Sequence, residues 1–173
     1  MSLNNIDIAQ VKQYEADIKA NDEEAKFTTK MEGTWLFDET GPQFTATAKT
    51  TGEPFVLTLS HPNFAGPGVS PSPMSFGLFW IAGCASATFM TSAEKKGIKI
   101  DSLSTTIEAD LDYHAQFKLG DQPLVDEYRI NFNVKTSASD AEVAQLKEDA
   151  LAGCMAMYTV KTAVPLKVTC TRA

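Results

Sequence analysis

Three residues carry the reactive chemistry open to this chain: Cys84, Cys154 and Cys170. A thiol can pack as a small hydrophobe, bind a metal or, as the thiolate, attack an electrophile. Metal binding needs clustered donors. No two cysteines are close in sequence, and His61 and His114 stand apart, so no metal site is expected. An odd cysteine count behind an N-terminus without a basic-then-apolar leader argues against a disulfide framework and for the reducing cytoplasm. Cys84 and Cys154 lie 70 residues apart, so only tertiary structure can join them. Local sequence leaves two readings of Cys84, an inert buried filler or a reactive thiol. Apolar burial raises a thiol pKa and suppresses the thiolate. No Lys or Arg occurs between Lys49 and Lys95, and His61 is the one ordinary titratable side chain near Cys84 in sequence. A reactive Cys84 would therefore need its cation delivered by the fold. Arg129 and Arg172 are the only arginines. Arg129 sits between Tyr128 and Ile130 on a strand pattern, so alternation points it to solvent. A partnership with a thiolate across an interface is the lesser reading.

The elements that must position these thiols follow from periodicity. Residues 5–25 read as a helix, with Ile8, Val11, Tyr14 and Ile18 on one stripe. Phe27 to Phe37, Phe44 to Thr50 and Pro54 to Ser60 read as three strands of a meander, with a turn at 38–41. A Pro- and Gly-rich loop fills 61–73. Ser72 as N-cap and Pro73 at the first position open an apolar helix that should end near Lys95, Lys96 and Gly97. Ile98 to Tyr113 alternates as a long strand with a bulge near Ser102. Glu127 to Lys135 alternates again. Ser139 and Glu142 have capping-box spacing for a helix with the stripe Val143, Leu146, Ala150, Leu151 and Cys154. Val164, Leu166, Val168 and Cys170 alternate as a last strand, with Cys170 as a core filler. The order predicts an α+β fold, an antiparallel-rich sheet packed on two long helices. The first long helix is apolar nearly all round and must be covered on every side, which one small sheet cannot do. A second subunit is expected.

Composition excludes some partners. The net charge is −7 and the pI about 4.8. That argues against nucleic acid and against anionic membrane surfaces, which need a basic face. The apolar run from Phe76 to Met90 falls short of the ~20 residues that span a bilayer and reads as a core helix.

The run from Ser70 to Asp112 resembles the central helix and following strand of the OsmC/Ohr family of osmotically induced and organic-hydroperoxide-resistance proteins. Pro73 opens the helix, Cys84 follows eleven residues later, then KKGI at 95–98 and the long strand. Cys154, at the end of the next helix before a final strand, is the second match. The resemblance covers roughly 26–172 and leaves 1–25 as an N-terminal helical extension to an OsmC-like domain at 26–173. It implies an intertwined homodimer with two long central helices and sites at the interface. It also implies that Cys84 attacks a hydroperoxide, that Cys154 resolves the sulfenic acid as a disulfide, and that an external dithiol restores both, with no bound cofactor. Three departures stand out. Met74 and Ser75 occupy the positions of the family's activating Glu, no Arg precedes Arg129, and Met155 replaces the Pro that commonly follows the second cysteine.

Two functions are therefore expected to compete. One is a thiol-dependent peroxidase for organic hydroperoxides. The other is a peroxidase-deficient protein that holds a hydrophobic small molecule. The expected substrate contacts are Met74, Phe76, Phe79, Trp80 and His61. A third reading is a dimeric structural domain with all three cysteines in the core.

Overall fold

The computed structural model describes residues 3–61 and 66–172. The chain divides into two compact units, Ala9–Phe79 and a second unit of the residues up to Ile8 together with Trp80 onward. In the first unit, α1 spans Ile8–Ala20 and a 3-10 turn follows at Asp22–Ala25. The expected single helix over 5–25 is broken because the Asn21 side chain accepts a hydrogen bond from Glu23 N–H and caps a new turn. Strands β1 (Gly33–Trp35), β2 (Phe44–Ala48) and β3 (Phe55–Leu59) form an antiparallel meander, as expected. The turn before β2 is built by Asp38, whose Oδ1 accepts from Thr40 N–H at 2.8 Å and Gly41 N–H at 3.2 Å. The first strand is shorter than predicted. Phe27, Thr29 and Met31 lie outside the ladder, and both Phe27 and Met31 are exposed.

Helix α2 spans Pro73–Lys95 and begins as expected, with Ser72 Oγ accepting from Ser75 N–H at 3.1 Å. It ends in a left-handed Gly97 (φ 69°). Ile98 N–H returns to Ala93 O at 2.9 Å, so only a residue without a Cβ closes this turn cheaply. By length and composition alone the helix could cross a membrane: it has 23 residues, and an 18-residue window within it has a mean hydropathy of 1.3. Its buried residues Ile81, Ala85, Phe89 and Ala93 recur every four positions, so one stripe faces the core. The helix is not covered on every side within one chain, and Phe79 and Trp80 remain exposed.

Strands β4 (Ile100–Leu111) and β5 (Val125–Thr136) pair antiparallel, with the expected irregularity between Ile100 and Ser102. Asn4 locks the start of β4. Its Nδ2 donates to Ile98 O and its Oδ1 accepts from Ile100 N–H, both at 2.8 Å. Helix α3 (Asp140–Gly153) carries the predicted capping box. A short α4 (Met155–Lys161), absent from the sequence reading, follows at once.

Two apolar clusters hold this second unit together. One joins Phe89 and Ala93 of α2 to Leu146 and Ala150 of α3 and to Ile100, with Phe89 and Phe132 rings 5.1 Å apart. The other contains Ile81, Ala85, Cys154, Ala156 and Met157, with Ile107, Tyr128 and Ile130 packed against it.

The last predicted strand is not one. Residues 163–172 join no ladder among the described residues, and Cys170 is exposed rather than a core filler. Alternation makes an extended segment two-faced. It buries a face only where a neighbouring strand completes the ladder.

Candidate functional site

The fold brings Cys84 and Cys154 together. Cys84, half-buried in the middle of α2, packs against the cluster that contains Cys154, which is 1 % exposed. Both are free thiols. Cys154 stands at a joint. Its N–H bonds Ala150 O at 3.0 Å and ends α3, while its Sγ accepts from Met157 N–H at 3.5 Å and starts α4. The chain therefore turns at the cysteine itself, which points the sulfur back into the protein. Burial pushes the Cys154 thiol above its ordinary pKa. The peptide N–H of Met157 opposes that shift, and Cys84 adds to it, both as a hydrogen-bond partner that favours the neutral thiol and as a second potential negative charge.

The approach of the two helices has a visible cause. A Cβ placed on Gly153 would lie 3.3 Å from Thr88 Cγ2, so the end of α3 meets α2 at a residue without a side chain. Thr88 Oγ1 in turn donates to Cys84 O at 2.9 Å, which ties the contact to the cysteine's own turn. Gly153 and Met157 were not among the residues expected to matter. The Gly-Cys pair at 153–154 was the available signal.

Arg129 does not serve the thiols within the chain. It lies on β5 opposite the Tyr128 and Ile130 face. Its guanidinium binds Asp110 and Glu127, the latter at 2.7 Å, and reaches Glu108 at 3.4 Å. These carboxylates hold its pKa above the ordinary arginine value. The solvent-facing reading of Arg129 is the one the geometry bears out. His114 lies between β4 and β5, its Nδ1 2.6 Å from Asp112 Oδ1.

The predicted substrate contacts divide between the two units. Trp80 belongs to the same unit as the cysteines and is about half exposed. His61, Met74, Phe76 and Phe79 belong to the other unit. His61 follows β3, where its N–H bonds Gln43 Oε1 at 2.6 Å. Phe76 lines a wholly apolar cavity of about 240 Å³ with Met31, Phe44, Ala46, Leu57 and Leu59. Met74, Phe79 and His61 do not line that cavity, and Phe79 is 77 % exposed. On α2, Phe76 and Phe79 stand three residues apart on one face, whereas Met74 projects from another. No group of His, Cys, Asp or Glu suited to a metal ion occurs among the described residues.

The arrangement can do one kind of chemistry directly: two thiols on different helices can be oxidised to a disulfide and reduced again. Solved structures share its frame. An OsmC-like protein from Mycoplasma pneumoniae superposes with a TM-score of 0.59 at 16% identity, over 80% of this chain and 90% of that one. OsmC, an organic hydroperoxide resistance protein from Legionella pneumophila, gives 0.55 at 15% identity, over 79% and 92%. An OsmC-like protein of unknown function from Vibrio cholerae gives 0.54 at 12% identity, over 79% and 96%. At these identities the likeness shows the fold alone. No curated protein sequence matches. The family description OsmC-like protein matches residues 66–169, the stretch that runs from the entry of α2 through both cysteines. The α+β frame and this match agree, and the chain belongs to the OsmC-like family.

Proposed function

We propose that this protein is a thiol-dependent peroxidase for organic hydroperoxides, acting as a homodimer in a reducing cytoplasm. The observation that carries the reading is the convergence of Cys84 and Cys154 in one apolar cluster from 70 residues apart. The Cys84 thiolate attacks the terminal oxygen of ROOH. The O–O bond breaks, Cys84 becomes a sulfenic acid and ROH leaves with a proton. The Cys154 sulfur then attacks the Cys84 sulfur and expels water, leaving a disulfide. An external dithiol reduces that disulfide by two exchanges and is itself oxidised. The apolar neighbours Ile81, Ala85 and Met157 suit the organic part of such a substrate better than hydrogen peroxide. The exposed Phe79 and Trp80 on α2 support the second subunit, because an apolar helix face of this size calls for cover.

The test is turnover of cumene hydroperoxide with a dithiol reductant. Wild-type protein should consume it. Cys84→Ser should abolish turnover, and Cys154→Ser should leave a sulfenic acid that a dimedone probe captures. Equal turnover by wild type and Cys84→Ser would sink the reading.

A second reading is supported by two separate observations. Arg129, the one arginine before Arg172, is taken up by carboxylates, and a wholly apolar cavity lies beside Phe76. In that reading the protein holds a small hydrophobic molecule and Cys84 stays slow.

A further inference from the structure

Helices α2 and α3 meet along two rows of residues spaced four apart. On α2 the row is Cys84, Thr88 and Ser92, continued by Lys96 just past the helix end. On α3 it is Gln145, Asp149 and Gly153. Residues four apart lie one above the other on a helix face. The rows run in opposite directions, since Thr88 meets Gly153 while Ser92 meets Asp149. Beside them lies an apolar row, in which Phe89 and Ala93 of α2 pack with Leu146 and Ala150 of α3.

Asp149 gathers the polar contacts of this seam. Ser92 Oγ donates to Asp149 Oδ2 at 2.5 Å, and Lys96 Nζ lies 3.3 Å from the same oxygen. Gln145 Nε2 donates to Oδ1 at 2.9 Å. These donors, Ser92 first and then Gln145, hold the carboxyl below the usual carboxylate range. The Lys96 pair is open to water, with side chains 42% and 28% exposed, and contributes little. The Ser92 bond differs. It joins two half-buried side chains on separate helices, and its acceptor is charged.

Such a bond supplies what the apolar row does not. Hydrophobic contact is non-directional and presses α3 onto α2 without fixing how far one slides along the other. A hydroxyl–carboxylate bond has a preferred length and direction. Cys154 moves with α3, because its N–H bonds Ala150 O at 3.0 Å. Asp149 precedes Cys154 by five residues, about 8 Å of helix, and Ser92 follows Cys84 by eight, about 12 Å. Neither touches a sulfur, yet each shares a helix with one. Disulfide closure tolerates little error in the approach of its two Cβ atoms, and such placement depends on hydrogen bonds in the supporting layer.

We infer that Asp149, through its bond from Ser92, is a positioning residue that sets the register of α3 on α2 and so presents Cys154 to Cys84. The inference rests on the two-thiol reading above and adds to it the residue that aligns the pair.

The test equilibrates the full-length chain in a glutathione redox buffer. Two protein thiols are oxidised to a disulfide while one glutathione disulfide is reduced to two glutathione thiols, which take up the two protons. No peroxide takes part, so the reading of geometry is separate from turnover. Mass spectrometry of alkylated peptides counts the Cys84–Cys154 bond apart from adducts of the exposed Cys170. Asp149→Ala should lower the effective concentration of the pair about tenfold, the scale of a lost hydrogen bond to a charged acceptor. Ser92→Ala should do the same, and the two together should fall little further, because both remove one bond. Exchanging the partners, Ser92→Asp with Asp149→Ser, rebuilds the bond with Asp four residues before Lys96 and should restore most of the loss. A general loss of stability would not be reversed by that exchange. Single variants that match wild type overturn the positioning role while the wild-type disulfide stands. An exchanged pair as poor as the single variants also overturns it. A wild-type chain that forms no Cys84–Cys154 disulfide overturns the positioning role and the two-thiol reading together.

Discussion

Gly153 closes against Thr88. A Cβ on Gly153 would meet Thr88 Cγ2 at 3.3 Å, tighter than ordinary side-chain contact. Thr88 is one helical turn beyond Cys84, and Gly153 directly precedes Cys154. The close approach of α3 to α2 beside the two thiols thus runs over a glycine that belongs to neither reacting residue. Gly153→Val should push α3 away from α2 and slow Cys84–Cys154 disulfide formation by tenfold or more, with both thiols still titratable in denaturant. Thiol counting after one equivalent of hydroperoxide reads this directly. Gly153→Ala should give a smaller defect, because a few tenths of an ångström of movement accommodate one methyl group. A Val variant that forms the disulfide at the wild-type rate would separate this contact from the chemistry.

The raised pKa of Cys154 sets a pH dependence. Burial favours the neutral thiol, so at pH 7 little thiolate is present to resolve an oxidised Cys84. The rate of disulfide formation should climb about tenfold per pH unit through the range below the Cys154 pKa, with no plateau near the ordinary thiol value of about 8.5. Stability should move the other way. The folded state holds this proton above the pH at which the unfolded chain releases it, so the contribution is fully present below the ordinary thiol pKa and is lost as pH rises past it. Cys154→Ala should flatten that alkaline decline in a denaturation midpoint series.

Arg129 invites a different expectation. Its guanidinium is shared among Asp110, Glu127 and Glu108 on the exposed face of β5. Arg129→Ala should leave the alkylation rate of Cys84 by iodoacetamide unchanged. It should lower the melting temperature slightly, and more at low salt, because three neighbouring carboxylates lose their common cation. A large fall in Cys84 reactivity would assign the arginine a role that the geometry of one chain does not provide.

Much of this architecture was legible because local chemistry dictates it. Ser72 before Pro73, the Ser139–Glu142 box and Gly97 fix helix ends through bonds to nearby backbone, and the structure has all three. The β4 bulge near Ser102 showed as a break in alternation. Elements that depend on distant partners were not legible. Phe27–Met31 and Val164–Cys170 have strand-like alternation, yet a strand exists only where a second chain segment completes its ladder. The α3–α4 joint was missed because Cys154 is an uncommon N-cap, and its sulfur does the work a serine or aspartate oxygen does elsewhere. The cysteine pair itself came from resemblance, since a separation of 70 residues carries no spatial information.

The cavity beside Phe76 decides between the two functional readings. At about 240 Å³ with a wholly apolar lining, it is smaller than the roughly 300–1,000 Å³ of drug-sized sites and suits a short alkyl chain or a single ring. Ala46 lies in its wall, 6 % exposed, paired across the meander with Gly33 and Leu57. Ala46→Leu would place three more carbons inside it. If the cavity holds ligands, n-octanol or benzene should raise the melting temperature of the wild-type protein in a concentration-dependent way, because a ligand that binds only the folded state stabilises it by mass action. Ala46→Leu should lose that response. Peroxide turnover is the second axis of the same experiment. If Ala46→Leu loses the ligand response but retains turnover, the cavity is separate from the thiol site. If it loses both, turnover depends on the meander unit as well as on the thiols. If wild type shows ligand-induced stabilisation and no turnover, the binding reading replaces the peroxidase. If neither probe shifts the wild-type melting temperature, the cavity carries no ligand and the function rests on the thiols alone.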